Sequence, residues 1–480
     1  MISFIRNLYY YSRLIFLLRK LNSNNFIITE EFIDTIIYFI QKCGCVTTKL
    51  CQWICTKLEL LIEEEGLTQY EHFLEKLEMF YENCPIHSLQ YTYQEYQKVF
   101  SKNLQDDYEI IKVLGSGSIG QTYLLKHYKT QNLFVMKIRH PYIKKQFRFF
   151  KFMYHFSNCF GILRNVKSKF PFHINNFINN FEEQIDFIKE SNNLLMFVNM
   201  YKSNDYIIIP ELLKCSESIL IMTYEEGVSL NSLDSHYKKN KLCLLLDTFI
   251  KNNNITYDFS HGDIHKGNWK VRDDKLIIYD FGYCFELKEN RQLIELIINT
   301  FENLENATKE IFGQIIYNLI DNNQSIDNIH EKIRIFVNSI WDNIGTTFSP
   351  IRLYKIIVKF CNRERIVLKH TCIQSLIVTI QVELLFRKYN IKSSDEKKIS
   401  SYDLYRNNYL DLLAMLNTYN ICPEYREFIE TKLNHLQVPV TNMFDTLSIE
   451  DELPDIYKSA LSEEPLSEEP LSEEPLSEEP

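Results

Sequence analysis

The chain has 480 residues, 45% hydrophobic and 24% charged, enough to bury a sizeable core. Its net charge is −10, and the Leu461–Pro480 tail alone holds eight glutamates and no base, so the body is near neutral and carries no basic domain of the kind that grips nucleic acid. No apolar run reaches the eighteen residues of a membrane span, and twelve cysteines scattered through helical stretches suit reduced thiols in an intracellular setting.

Met1 to Lys20 carries Arg6, Arg13, Arg19 and Lys20, no acid, and many Tyr, Leu, Ile and Phe. Three readings fit: an amphipathic helix packed on the body, a membrane-surface helix, or a mitochondrial transit segment. Residues 26–80 read as helices, with Phe32, Ile36, Ile37 and Ile40, then Leu58, Leu61 and Ile62, at helical spacing. Gly66 follows three glutamates as a helix terminator, and Cys84-Pro85 breaks the pattern. Cys43, Cys45, Cys51 and Cys55 lack the spacing of paired zinc knuckles.

From Tyr108 the period changes to strands, YEIIKVLG, QTYLLKHY and LFVMKIRH, with KTQN as the turn between the last two. Residues 142–200 return to helix. YIIIPELL and SILIMTY are short β-rich runs, a helix is expected near Leu242 to Ile250, and WKVRDDKLIIYDFG holds two short strands around Asp273-Asp274. The chain from Lys288 to about Gln437 reads as helical. The LSEEP repeat is acidic, proline-punctuated and expected to be disordered. This order predicts an α+β, two-lobed, protein-kinase-like fold. Its parts are a helical extension (1–100), a β-rich N-lobe with a helical insert (101–227), a helical C-lobe (228–450) and the tail (451–480).

The chemistry lies in four places. Gly115-Ser116-Gly117-Ser118-Ile119-Gly120 sits between two predicted strands, where glycines let backbone approach phosphates. Taken alone it is equally a hairpin turn. Lys137, flanked by apolar residues on a strand, suits phosphates and a helix glutamate, for which Glu190 is the candidate. The segment from His261 to Asn268, with Asp263 and Asn268 five apart, is followed by Asp280-Phe281-Gly282. Phosphoryl transfer needs a carboxylate to position the nucleophile, the role of Asp263, and oxygen ligands for Mg²⁺, the roles of Asn268 and Asp280. His261 is expected to buttress the loop and His265 to sit by the phosphates.

These motifs resemble those of the UbiB/ADCK family of atypical kinase-like proteins, over about residues 35 to 390. Lys49 to Lys57 looks like the family's KxGQ signature, and Ser118-Ile119-Gly120-Gln121 like its S-I-G-Q. Gln184-Ile185-Asp186 and Glu190 to Asn193 resemble its ExD segment and the motif after it. His261 to Asn268 is similar to its H-A-D-x-H-P-G-N, and Pro85-Ile86-His87-Ser88 to the segment joining KxGQ to the small lobe. The resemblance implies ATP or ADP with Mg²⁺, an adenine hinge at Met222 to Gly227 with Met222 and Tyr224 at the base, and a front helix whose Lys49 and Gln52 fold over the cleft, gated with Asp186. It also implies ATP hydrolysis or work on a lipid or small molecule in ubiquinone synthesis, with mitochondrial or membrane-peripheral placement.

Departures from the pattern shape a further expectation. Cys51 stands for the KxGQ glycine, Gln184 for an acid, a glycine-rich loop for an alanine-rich one, and Lys266 for a proline. With Lys49 placed near the phosphates or near Asp186, these changes predict a gate that opens easily and a Lys49→Ala variant that changes little. Gly262, where many kinases carry Arg, argues against control by activation-loop phosphorylation. Arg291 to Leu304 reads as a helix that follows at once and leaves little loop for a peptide. Two other readings of the motifs are a small-molecule phosphotransferase of the choline or aminoglycoside kinase type and a nucleotide-binding scaffold without turnover.

Overall fold

The computed structural model describes residues 2–21, 29–52, 76, 84–159, 174–202, 204–255, 257–265, 267–290, 293, 296, 308–321, 326–344, 350–364 and 366–390. They belong to the first of two compact units, Met1–Glu427; the second, Phe428–Pro480, lies outside the described residues. So do most of the expected helix after residue 52, the Arg291–Leu304 helix apart from Leu293 and Leu296, the helical stretch beyond 390, and the LSEEP tail.

Among the described residues three helices stand in front. They are α1 (Ile2–Leu21), α2 (Glu30–Cys43) and α3, residues 45–52. Thr29 caps α2 by accepting the Phe32 N–H, and Glu30 and Glu31 complement the positive end of the helix dipole. The helix stops at Gly44, whose φ of 96° lies in the left-handed region glycine tolerates. A Cβ there would also sit 2.6 Å from Gln146 Oε1, the atom that accepts the Cys45 N–H. One residue thus turns α2 into α3.

The apolar faces of α1 and α2 close on the helical insert. Tyr11, Leu14 and Leu17 of α1 and Ile33, Ile36, Ile37 and Ile40 of α2 share a core with residues of α6 (Ile143–Cys159) and α7 (Ile174–Gln184). The basic N-terminal helix therefore packs on the body, the first of the three readings. Its outer face still exposes Ile5, Tyr9 and Phe16.

The small lobe follows α4 (Leu89–Phe100) and the short α5 (Leu104–Asp107). Its strands are β1 (Tyr108–Ser116), β2 (Gly120–His127), β3 (Leu133–Arg139), β5 (Leu212–Cys215) and β6 (Ile219–Thr223). They form an antiparallel sheet in the order β1-β2-β3-β6-β5. Tyr96 of α4, Tyr123 and Leu125 of β2, Met136 and Ile138 of β3 and Ile219 and Ile221 of β6 fill its core. The helix that faces the cleft, α8 (Phe187–Tyr201), is capped by Asp186, whose carboxylate accepts the Ile188 N–H at 3.1 Å.

The large lobe holds β7 (Phe259–His261) paired with β10 (Cys284–Glu286). A second sheet has the order β4-β9-β8, from β4 (Ile207–Ile208), β9 (Lys275–Ile278) and β8 (Trp269–Arg272). Its β4 runs parallel to β9, so a piece of the expected N-lobe segment belongs to the catalytic-loop sheet. Helix α9 (His236–Ile255) packs against α13 (His370–Asn390), while α10 (Lys309–Leu319), α11 (Ile329–Ile344) and α12 (Pro350–Glu364) surround Phe312, Phe336 and Phe360. Helix α9 runs beyond the expected Leu242–Ile250 because its polar ends carry no apolar period. Within it a buried Lys251–Asp247 pair, 2.7 Å apart at i,i+4 spacing, holds the penultimate turn. The described residues form a two-lobed α+β kinase-like fold with helices added in front.

Candidate active site

Strand β3 lies between β2 and β6, and its alternation turns Lys137 out of the apolar core toward the cleft. The ammonium lies 2.8 and 2.9 Å from the two carboxylate oxygens of Glu190, one turn into α8, and 3.1 Å from Asp280 Oδ1. Burial by itself would lower the Lys137 pKa, but Asp280 and Glu190 together outweigh it and hold the ammonium charged. The two carboxyls diverge. Burial pushes Glu190 up to about 7 against the pull of Lys137. Burial opposes ionisation of Asp280 as well, yet Lys137 and then Lys49 hold it well below the usual carboxylate range. Asp280 thus ionises more readily than Glu190, and both face the Lys137 ammonium. The Asp280 φ of 54° is a left-handed backbone position away from glycine, a local strain that aims the carboxylate at Lys137 and at the Gly282 N–H, 3.2 Å away.

The catalytic loop hangs from β7. His261 is fully buried, and burial lowers its pKa, so the ring is neutral. Its Nε2–H donates to the Tyr279 carbonyl at 3.1 Å and its Nδ1 accepts the Asp263 N–H at 3.2 Å, which ties the loop to the segment carrying Asp280. Gly262 is imposed by its neighbour, since a Cβ there would lie 2.5 Å from the Tyr283 ring. Asn268 donates its amide hydrogens to the Asp263 carbonyl at 2.8 Å, which leaves its side-chain oxygen as an acceptor. His265 accepts the Gly267 N–H, and its Nε2 is 3.9 Å from Asp263 Oδ2.

Helix α3 crosses this site. Lys49 Nζ lies 3.1 Å from Asp263 Oδ2, and Gln52 Oε1 accepts the Ser118 hydroxyl at 2.9 Å. Burial would raise the Asp263 pKa, but Lys49 and then His265 bring it below its ordinary value. The cleft between the lobes is about 290 Å³. Gly115, Ser116, Gly117, Ser118, Gly120, Met222 and Tyr224, the expected cofactor contacts, all line it, as do Lys137, Glu190, Asp263, Asn268, Asp280, Lys49 and Gln52.

Asp186 is not brought to this group. Its carboxylate caps α8, and Lys49 pairs with Asp263 in the cleft, which corrects the second of the two expected places for Lys49, near Asp186. The expected loose fit is not seen either. Cys51 packs its side chain against the front core while α3 still makes both bonds across the cleft. The glycine-rich loop is tied down as well: the Cys84 N–H donates to the Ser116 carbonyl, and Ser116 and Ser118 are buried. The buried, cleft-lining Gln184 stands where the resemblance expects an acid. Two residues of the loop's support, His87 and His140, have no spacing signal, because they are 53 positions apart with three strands between them.

The donor set suits a Mg-nucleotide. Asp280 offers carboxylate oxygen and Asn268 amide oxygen to a hard cation, and phosphate and water oxygens customarily complete such a shell. Among the described residues no group of three His, Cys, Asp or Glu side chains is placed to hold a metal by itself.

The sequence model of the family described as "ABC1 atypical kinase-like domain" matches residues 80–312. A Dictyostelium discoideum protein named "Probable serine/threonine-protein kinase abkC" is 24% identical over 269 residues, 53% of this chain and 38% of that one. "Protein ACTIVITY OF BC1 COMPLEX KINASE 8, chloroplastic" of Arabidopsis thaliana is 26% identical over 132 residues, 25% of this chain and 17% of that one. The chain thus spans well under half the length of these relatives. A solved structure titled "The complex structure of Rv3197-erythromycin from Mycobacterium tuberculosis" aligns at a TM-score of 0.41 and 15% identity, over 72% of this chain and 91% of that one. The matched span, just under half of the chain, begins ahead of α4 and takes in the glycine-rich loop, Lys137, Glu190, the His261–Asn268 loop and Asp280, so residues 80–312 carry an ABC1 atypical kinase-like domain, the domain of the UbiB/ADCK family.

Proposed function

We propose that this chain is an atypical phosphotransferase or ATPase whose nucleotide site is held shut by its own front helix. The supporting observation is the pairing of Lys49 with Asp263, the carboxylate that would orient the acceptor. Bound Mg-ATP would bring the transferable phosphoryl group and the metal's charge. Lys137 would hold phosphate oxygens, Asn268 and Asp280 the metal, and Met222 and Tyr224 the base. Asp263 would position an acceptor hydroxyl or a water and take its proton.

The acceptor is proposed to be a lipid or small molecule, because α3 lies where a peptide would enter. The quinone pathway follows from the family resemblance. Peripheral membrane association is proposed from α1, which exposes Ile5, Tyr9 and Phe16 beside Arg6 and Arg13; among the described residues no helix is long and apolar enough to cross a membrane. The same Lys49–Asp263 pair also favours a second reading, a nucleotide-binding scaffold without turnover. Phosphate release from Mg-ATP by the wild type, Asp263→Asn and Lys49→Ala decides. Release that Asp263→Asn abolishes supports the enzyme; nucleotide binding with no release from any of the three supports the scaffold.

A further inference from the structure

Behind the glycine-rich loop, on the side away from the cleft, lies a run of polar side chains that the roles above do not use. His140 follows β3, and its Nε2 is 2.9 Å from the Gly117 carbonyl oxygen. Its Nδ1 is 2.9 Å from Nδ1 of His87. His87 Nε2 lies 3.1 Å from Thr92 Oγ1, which in turn lies 2.7 Å from the Tyr123 hydroxyl. The Gln121 amide donates to that hydroxyl at 2.8 Å, and Gln121 Oε1 accepts the His87 backbone N–H at 2.9 Å. Thr92 and Tyr123 are fully buried, and Gln121 and His140 nearly so.

The hydrogens in this run have one arrangement. A carbonyl oxygen only accepts, so His140 carries its hydrogen on Nε2. Ser116 Oγ, 3.5 Å from the same nitrogen, donates to the Pro85 carbonyl and can accept there too. Neutral His140 then has a bare Nδ1, and the 2.9 Å contact is a hydrogen bond only if His87 carries its hydrogen on Nδ1. The bare His87 Nε2 accepts from Thr92, Thr92 accepts from Tyr123, and Tyr123 accepts from Gln121. Two neighbouring rings hold opposite tautomers, each set by the partner of its other nitrogen. Burial keeps both neutral: the His87 pKa is pushed down to about 4 by burial and then by His140, and burial also lowers that of His140.

The Gly117 carbonyl and the Ser118 N–H belong to one planar trans peptide and point in opposite directions. Gly117 and Ser118 line the cleft, and His140 does not. Drawing the carbonyl back to His140 therefore turns the Ser118 N–H toward the nucleotide side, where this amide has no hydrogen-bond partner among the described residues. We infer that His140, fixed in its Nε2–H tautomer by the proton on His87, is a positioning residue that keeps the Gly117–Ser118 peptide turned to donate to a phosphate oxygen. With the peptide reversed, a carbonyl oxygen would face the phosphate. The inference rests on the reading that this cleft binds a nucleotide.

The test uses the full chain. Nitrogen-15 NMR of the imidazoles at neutral pH, without nucleotide, is expected to show His140 as the Nε2–H and His87 as the Nδ1–H tautomer, each assigned by its loss in a variant. His140→Phe is expected to weaken Mg-ATP binding about tenfold, the upper end of one net hydrogen bond. His140→Gln, whose amide nitrogen reaches the Nε2 position, recovers most of the affinity. If His140→Phe does not fold, His87→Phe serves, since it frees His140 to move its hydrogen to Nδ1 and is expected to weaken binding in the same way. Two Nε2–H rings, unchanged affinity in the phenylalanine variant, or equal losses in the Phe and Gln variants would overturn the inference. A folded wild type that binds no nucleotide overturns this inference together with the function, and the tautomer readings tell that case from a failed relay.

Discussion

Replacing Lys49 by Ala removes the ammonium 3.1 Å from Asp263 Oδ2, where the side chains retain only 16% and 25% of their exposure. A hydrogen bond to a charged group contributes about 1.5–3 kcal/mol, and the neutral Gln52–Ser118 bond, worth about 1 kcal/mol, is left in place. Loss of the Lys49 contact, with the Gln52 bond kept, shifts the closed–open balance by about ten- to a hundredfold, since about 1.4 kcal/mol is tenfold. Phosphate release measured under saturating Mg-ATP should rise by that order, and Lys49→Arg, which keeps the charge, should stay near the wild type. The pH profile supplies an independent sign. Lys49 is the strongest of the influences that lower the Asp263 pKa, so in Lys49→Ala the acidic limb of the rate profile moves to higher pH. A Lys49→Ala protein that binds Mg-ATP but releases phosphate within twofold of the wild type would refute the reasoning.

Asp280→Ala should abolish the Mg²⁺-dependent thermal stabilisation by ATP or ADP, which for a wild type at a hundred times its Kd is about 2.7 kcal/mol; equal shifts in both proteins would remove Asp280 from the metal site. Gly262→Ala should cost about 1–3 kcal/mol in urea unfolding, because its Cβ meets the Tyr283 ring at 2.5 Å, and Tyr283→Met in the same chain should recover most of that; purely additive losses would count against the contact. The His87 and His140 pKa values lie below those of the unfolded chain, so their contribution is complete above about pH 6.5 and is lost as pH falls below that, for His87 toward about 4. Unfolding free energies of the wild type and of His87→Asn/His140→Gln should therefore converge across that window, and parallel curves would contradict the neutral pair.

The polar residues of the site were the most legible part of the sequence. Asp263, Asn268 and Asp280 lie within eighteen residues in the order and spacing that a phosphoryl-transfer site needs, and Lys137 stands out because its neighbours on the strand are apolar. The partner of Lys49 was not legible. Asp186 and Asp263 are both acids in plausible places, and only the helix start at Phe187 shows that Asp186 is occupied as a cap. The looseness inferred from Cys51 failed because a helix position has several faces; the thiol turned to the front core rather than into the cleft. The polar termini of α9 were invisible to an apolar period, although the Asp247–Lys251 pair at i,i+4 was a signal in plain sight.

Gly44 has a mechanical consequence. As the single residue between α2 and α3, it makes α3 a lever with its pivot about one and a half turns from Lys49. At 1.5 Å per residue, Lys49 sits about 7.5 Å from that pivot and Gln52 about 12 Å. Carrying the ammonium about 4 Å from Asp263 by rotation there needs a swing of about 30°, which moves Gln52 by about 6 Å. The two contacts are thus geared in a fixed ratio, the farther one travelling more. A force applied near Gln52 enjoys the longer arm, so the bond to Ser118, the weaker of the two, is where the lever is most easily worked.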